Sequence, residues 1–461
     1  MSNEQAPTPS QRGDSADQSV FETARGTAVK LLSRYESSDS YIDKLLDAEL
    51  RRSELSAVDK ALMTELVNGV VRWQSRLDWV LTGFYHGEFA KCLPIVRNAL
   101  RIALYQMVFL SKIPAPAAIN ESVEIIKRVK GERHSGIVNG VLRNILRNIQ
   151  NIRYPVKEEN LVLHHSILYA HPQWIVRRYV ERYGEEESEL LLAANNHRPM
   201  LTLRVNTLKS STEAVRQALT EAEIKFEESP IHDGSFLITS LRDVKSLTIF
   251  TDGHVSVQDA SASLAVRLAA PEPGMRVYDL CSAPGGKAVY AAELMQDTGT
   301  VVALEKYDSK LHLIRDNANR AGVSIISAQH GDAREFTAKE PADLVLVDAP
   351  CTGLGTLSKK PDIKWRRSIE DIRQMSALQY NILHHAASLV KSGGTIVYST
   401  CTIEPEENED VVRRFLEQHS EFELVPAENF LPESVTEHGF LRTYPHRHRS
   451  DGAFAARLRR R

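Results

Sequence analysis

Residues 276–287 read RVYDLCSAPGGK. Val277 and Leu280, following the turn pair Pro273-Gly274, predict a short buried strand. The chain then breaks over Cys281-Ser282-Ala283-Pro284-Gly285-Gly286 before a helical run from Ala288 to Leu294. A strand, a glycine-rich turn and a helix in that order bring bare backbone to a helix N-terminus, where a nucleotide-like ligand can approach. Neither G-x-G-x-x-G nor G-x-x-x-x-G-K-[ST] is matched, because Ala288 follows Lys287. An ordinary connection between a strand and a helix has the same local pattern, so the surrounding chain has to decide.

Downstream, strands are predicted at 300–304, 324–328, 343–347 and 394–399, with helices between them. That alternation implies a parallel, doubly wound sheet, whose ligand sits at the carboxyl ends of the strands. The first strand is followed by the 281–287 loop. Glu305 follows the second, about 20 residues past the loop, where an acidic side chain takes ribose hydroxyls. Gly331-Asp332 follows the third, Asp348-Ala349-Pro350-Cys351 the fourth and Thr400-Cys401-Thr402 the fifth. Asp or Gly after one strand is common turn chemistry. Polar or reactive groups after every successive strand converge on one crevice.

A thiolate at that edge is a good nucleophile if its pKa is lowered, which a cationic ligand would do. The neighbouring Glu404, Glu406 and Glu407 work against this and are read as first-turn residues of the helix running to His419. Cys92, in contrast, reads as a small buried hydrophobe. The run Lys359, Lys360, Lys364, Arg366 and Arg367, with Trp365 inside it, suits phosphate contact and base stacking, or else a solvated loop.

Upstream, residues 1–19 are polar and predict a disordered tail. From Val20 to about Ile152 the pattern is helical, with Leu62, Leu66, Val70, Trp73 and Leu77 on one stripe and Ile137, Val141, Ile145 and Ile149 on another. Ser56-x-x-Asp59 and Pro94 mark helix starts. Arg143, Arg147 and Arg153 form either a solvated face or an RNA-facing stripe. Residues 201–205 alternate as a strand, and Ser210-x-x-Glu213 predicts the cap of a helix to about Ala222 in a small α+β segment of βαβ-like order. There Arg204 and Asn206 either contact RNA or end a strand.

The 461 residues carry 57 basic and 60 acidic side chains, a net charge of -3, so any polyanion footprint is local. The 4 cysteines lack a C-x-x-C pair, which argues against a zinc site or disulfide framework and for a reducing compartment. No metal is expected. No apolar run approaches about 18 residues, and the N-terminus has no apolar leader, so a cytoplasmic, soluble chain is expected.

Four stretches, DLCSAPGGK, DAPCTGLGTL, KKPDIKW and STCTIEPEEN, resemble motifs of the RNA cytosine-5 methyltransferases. The helical segment ending NGVLRNIL resembles the NusB-like RNA-binding domain, and the likeness runs from about residue 20 to 456. The resemblance implies a multidomain chain: a tail over 1–19, an all-α NusB-like domain over 20–152, a small α+β linking domain over 153–250 and an α/β Rossmann-like methyltransferase domain over 251–461. It implies S-adenosylmethionine as cofactor, held by Cys281, Ser282, Ala283, Pro284, Gly285, Gly286, Lys287, Glu305, Asp332 and Asp348. It also implies Cys401 as the nucleophile toward the base, Cys351 as the assistant in product release and Asp348 beside the base. Ser282 stands where alanine is frequent, and Glu305 where aspartate is also seen. The implied partner is RNA, foremost small-subunit ribosomal RNA, acted on by a monomer. Transfer RNA as substrate and a non-enzymatic RNA-binding or antitermination role are the alternatives. An exocyclic-nitrogen methyltransferase is disfavoured, because Asp348-Ala349-Pro350-Cys351 stands where such enzymes carry an N-P-P-Y-type loop.

Overall fold

A computed structural model describes residues 20–239 and 243–461, so the tail expected over 1–19 lies outside the described residues. The described residues form two compact units, one from residue 20 to 196 with 360–365, the other from 197 to 359 with 366–461.

The first unit is helical. Its helix Pro94–Phe109 opens on proline, whose fixed φ suits a first turn, and buries Val96, Ala99, Leu100, Ile102, Ala103 and Leu104. Helix Ala57–Arg72 starts where expected, with the Ser56 hydroxyl accepting from Asp59 N. Helix Glu132–Asn148 corrects the second stripe: Ile137 is exposed, and Val138, Val141, Leu142 and Ile145 form the buried face. Residues 360–365 are held here by buried bonds. Lys364 Nζ donates to Arg72 O at 2.9 Å and Asn196 Oδ1 at 3.1 Å, and Trp365 Nε1 donates to Val71 O at 2.7 Å. Burial pushes the Lys364 ammonium well below its usual range. Phosphate holding by Lys364 is thereby overturned.

The second unit contains a small antiparallel sheet of β1 (Leu201–Val205), β2 (Phe226–Glu228), β3 (Ser235–Ile238) and β4 (Val255–Val257), in the order β2-β3-β1-β4. Helix Thr212–Glu221 follows β1 and is capped by Ser211, one residue later than the expected box at Ser210. Arg204 and Asn206 are buried. Arg204 pairs with Glu293 and donates Nε to Gln258 Oε1 at 2.6 Å, while Asn206 Nδ2 donates to Gly253 O and Ala321 O. With these polar groups turned inward, neither is available to RNA.

The large sheet is built from β5 (Arg276–Asp279), β6 (Thr300–Glu305), β7 (Ile326–His330), β8 (Ala342–Asp348) and β9 (Val390–Thr400), extended by β10 (Phe422–Val425), β11 (Thr436–Glu437), β12 (Phe440–Thr443) and β13 (Ala453–Arg460). Its order is β11-β12-β13-β9-β8-β5-β6-β7, with β10 paired to β13. The strands β5 to β9 are mutually parallel, as the alternating pattern requires. The C-terminal strands add antiparallel neighbours beyond β9, so the sheet is mixed and not purely parallel. Alternate residues face opposite layers: Val277, Leu344, Leu346 and Val397 pack on helices Ala260–Ala269, Gly286–Leu294 and Leu311–Ala321. Tyr278, Val345, Val347 and Tyr398 meet the layer of helices Ile369–Ala386 and Glu409–Gln418. From β5 the chain runs outward through β6 and β7, then returns to β8 on the other side. The strand order therefore reverses between β5 and β8, where doubly wound sheets open a ligand crevice.

Candidate active site

At the carboxyl end of β5 the chain turns sharply. Ser282 N donates to Leu304 O at 2.8 Å, Gly285 N to Ser282 O at 2.6 Å, and helix Gly286–Leu294 begins at once. Gly285 has φ +101°, which favours glycine, and a Cβ there would lie 3.1 Å from Ile314 Cα. Lys287, in the first turn, reaches Asp348 at the end of β8, with Nζ 2.7 Å from Oδ2. Burial opposes the lysine charge, but the Asp348 carboxylate outweighs it and raises the Lys287 pKa. Asp348 Oδ1 also accepts from Ser399 Oγ at 3.1 Å. Loop 281–287 and the end of β8 thus meet across the switch point, as expected for one crevice. Cys281 is half-buried, and desolvation drives its thiol pKa upward, so it is no nucleophile.

At the end of β6, Glu305 is almost buried; its Oε1 accepts from Tyr307 N at 3.0 Å. Asp332, after β7, is engaged by Arg334 through Nε at 2.9 Å and Nη2 at 2.6 Å, with Lys306 Nζ at 3.2 Å; the arginine bonds hold its carboxyl well below the usual range.

The two strand-end cysteines are brought together. Cys351 Sγ and Cys401 Sγ lie 3.1 Å apart, Cys401 exposed and Cys351 half-buried. The Cys401 contact, then burial, push the Cys351 thiol far above its ordinary range, so Cys351 retains its proton. Cys92 is buried in the helical core of the first unit and takes no part in this pair.

Two acidic residues stand in surroundings that the sequence reading did not assign to them. Asp279, the last residue of β5, is fully buried, and neither carboxyl oxygen has a hydrogen-bond partner among the described residues. Burial raises its pKa to about 7, the nearby Ser282 hydroxyl opposing and the Asp348 charge adding to the shift. Its signal lay in the motif itself, an acidic residue inside an apolar strand. Glu407, read as a first-turn residue of the helix running to His419, lies instead in the 3-10 turn Pro405–Glu407 before that helix, where it is fully buried and bonds Thr352 and Gln379.

The basic run does not form one nucleic-acid face. Lys359 Nζ is paired with Asp259 and, at 2.9 Å, with Asp451; Arg367 Nε donates to Thr352 O at 3.1 Å. In the first unit Arg143, Arg147 and Arg153 are exposed. Among the described residues no group of His, Cys, Asp and Glu side chains has the makings of a metal site, and no helix is long and apolar enough to cross a membrane.

Comparison with known proteins adds three matched families: 16S rRNA methyltransferase RsmB/F over residues 266–459, the NusB family over 22–147, and the ferredoxin-like domain of the RsmF/B-like methyltransferases over 171–245. A probable ribosomal RNA small subunit methyltransferase B of Synechocystis is 36% identical over 95% of this chain and 99% of its own length. One from Bacillus subtilis is 36% identical with the same coverage. Among solved structures, a methyltransferase homolog protein from Pyrococcus horikoshii is 29% identical with a TM-score of 0.57, covering 66% of this chain and 99% of that one.

Proposed function

The chain belongs to the 16S rRNA methyltransferase RsmB/F family, an S-adenosylmethionine-dependent group acting on ribosomal RNA, and from that premise we propose that it methylates C5 of a cytosine through a covalent bond to Cys401. The observation that carries this reading is the Sγ–Sγ distance of 3.1 Å between an exposed and a half-buried cysteine.

The residues at the switch point fit the cofactor. Gly285 and Gly286 leave backbone bare at a helix start, Glu305 stands at the next strand end, and the unpartnered Asp279 carboxyl borders the crevice. When bound, S-adenosylmethionine supplies an electrophilic methyl group on a sulfonium. Loop 281–287 and Glu305 would hold it, with Asp332 beside them.

Cytosine C5 is a poor nucleophile while the ring is aromatic. In this reading Cys401, the accessible sulfur, adds to C6 as a thiolate whose lone pair receives the Cys351 S–H. The S–C6 bond forms, the C5–C6 double bond opens, and C5 takes the methyl group. Asp348 accepts from the exocyclic amine and orients the ring, while Lys287 sets its ammonium against developing negative charge. The C5 proton then leaves to a base, and Cys351, beside the S–C6 bond, assists by donating its S–H to the departing Cys401 sulfur. That electron pair restores the double bond and the S–C6 bond breaks. Both faces of the base must be reached, so the target cytosine is unstacked. Arg143, Arg147 and Arg153, exposed in the first unit, are offered to phosphate.

Denaturing electrophoresis of protein incubated with ribosomal RNA and S-adenosylmethionine tests this. Cys401→Ala abolishes methylation and forms no adduct. Cys351→Ala accumulates a methylated RNA–protein adduct, which the double substitution loses. Activity retained by Cys401→Ala, with no adduct in any variant, would overturn the covalent mechanism. Bisulfite sequencing of the product reads C5 directly.

A further inference from the structure

The two reactive sulfurs sit on loops that follow different strands, and the dipeptide Glu407-Asn408 bonds to both loops. Glu407 is fully buried, and its carboxylate accepts from Thr352 N at 2.8 Å, from the Thr352 hydroxyl and from Gln379 Nε2 at 2.9 Å. Thr352 is the residue next to Cys351. Asn408 is buried too; its Oδ1 accepts from Thr400 Oγ1 at 2.5 Å and its Nδ2 donates to Thr402 O at 3.0 Å. Those two partners flank Cys401. The hydroxyls of Thr352 and Thr402 close the ring at 3.3 Å, and Tyr398 Oη donates to Glu407 O at 2.5 Å, tying the dipeptide to β9.

We propose that Glu407 and Asn408 are positioning residues, a buried two-sided clamp in which Glu407 holds the Cys351 loop and Asn408 the Cys401 loop, setting the distance between the two sulfurs. The inference rests on the cysteine-pair mechanism above. A buried carboxylate is costly unless its acceptors are filled. Here the filling groups all belong to the cysteine loops and to the helix Ile369–Ala386 behind them. A carboxylate spent only on fold stability would have no reason to converge with Asn408 on residues 352, 400 and 402. Neither clamp residue touches substrate, so each acts through the geometry of the sulfurs.

Phenylarsine oxide measures that geometry independently of turnover. Its hydrate exchanges two hydroxyls for two thiols, forming two As–S bonds and releasing two waters, and it binds tightly only where two sulfurs are held close together. The full-length protein should bind one equivalent across Cys351 and Cys401, and Cys401→Ala should not. Glu407→Ala should weaken capture about tenfold or more, the equivalent of one charge-assisted hydrogen bond. Glu407→Gln, which keeps an acceptor oxygen for Thr352, should recover most of it. S-adenosylmethionine affinity should stay unchanged in both, with kcat for methylation falling in step with arsenical capture while KM for RNA holds. Should Glu407→Ala fail to fold, Thr352→Val removes only the hydroxyl of the same bond, keeps the backbone donor to Glu407, and should likewise weaken capture. Undiminished capture by Glu407→Ala, or by Thr352→Val in its place, overturns the clamp and leaves the mechanism standing. Equal capture by the natural protein and by Cys401→Ala overturns the pairing of the sulfurs, and the clamp with it.

Discussion

The two halves of the crevice solve opposite problems. At the β5–β6 edge, polar groups are left for something else to complete. The Asp279 carboxyl is buried with no hydrogen-bond partner among the described residues, and Gly285 and Gly286 present backbone without side chains. At the β8–β9 edge the groups flanking the sulfurs bond one another: Glu407 fills its oxygens from Thr352 and Gln379, and Asn408 binds both flanks of Cys401. Gly355 N donates to Cys401 O at 3.1 Å, and Gly452 N to Gly355 O at 2.8 Å, which adds a second brace. A surface that receives a ligand keeps unspent donors and acceptors, because the ligand supplies their partners. A surface that presents a nucleophile is built to need no rearrangement when the reaction begins.

That contrast can be broken at specific points. The largest effect is expected from Gly355→Ala. Its Cβ would fall 1.8 Å from Gly452 O and 2.9 Å from Cys401 O, so the braced loops must part. Urea unfolding should show a loss of about 1–3 kcal/mol or more, and the RNA adduct that Cys351→Ala accumulates should disappear when Gly355→Ala is added to it. Cofactor binding, measured by calorimetry, should survive, since the other edge is untouched.

Asp279→Asn should act next most strongly, and on stability. Its folded pKa of about 7 lies above the ordinary 3.8, so its protonated form is the one the fold favours. The contribution is complete below about pH 4 and is lost as pH rises through 7. The asparagine variant should flatten the stability profile across that window and be the more stable protein above pH 7, by a few kcal/mol at about 1.4 kcal/mol per unit. Thermal unfolding against pH in the free protein checks the sign; an unchanged profile would mean that Asp279 is solvated.

Glu305→Ala should weaken S-adenosylmethionine binding by roughly 1.5–3 kcal/mol, the value of hydrogen bonds to a charged acceptor. Its own bonds within the protein are few, to Tyr307 N at 3.0 Å and a distant Lys310 at 3.9 Å, so the fold should hold. Affinity equal to that of the natural protein would show that another group takes the ribose. The smallest effect belongs to neither edge. Neutralising Arg143, Arg147 and Arg153 together should lower the salt dependence of RNA binding by about one unit of slope for each phosphate no longer neutralised, with cofactor affinity unmoved.

Much of this was legible in the sequence because it is local. The strand at 276–279 announces itself by alternation and that at 342–348 by its apolar run, and the groups that follow them are fixed at strand ends by position alone. Pro94 and Ser56 mark helix starts through their own backbone chemistry. Where the reading failed, the deciding partner was remote. Arg204 has the same residue type as an RNA-binding arginine, but it is paired with Glu293, which no spacing rule connects to it. Lys364 looks like a phosphate ligand until Arg72 and Asn196 take its protons in hydrogen bonds. The strand Ala453–Arg460 carries basic residues at its end, and its pairing with β9, β10 and β12 makes it part of the sheet.

The sequence by itself determined the order of elements, the residue types at each strand end and the motifs that identify the family, since all of these depend on neighbours a few positions away. Only the tertiary structure decided which charges are buried, which sulfur is accessible and which of Glu404, Glu406 and Glu407 becomes an anchor. Charge burial and hydrogen-bond partnership are properties of a folded environment, in which residues 352 and 407 meet across 55 positions of chain.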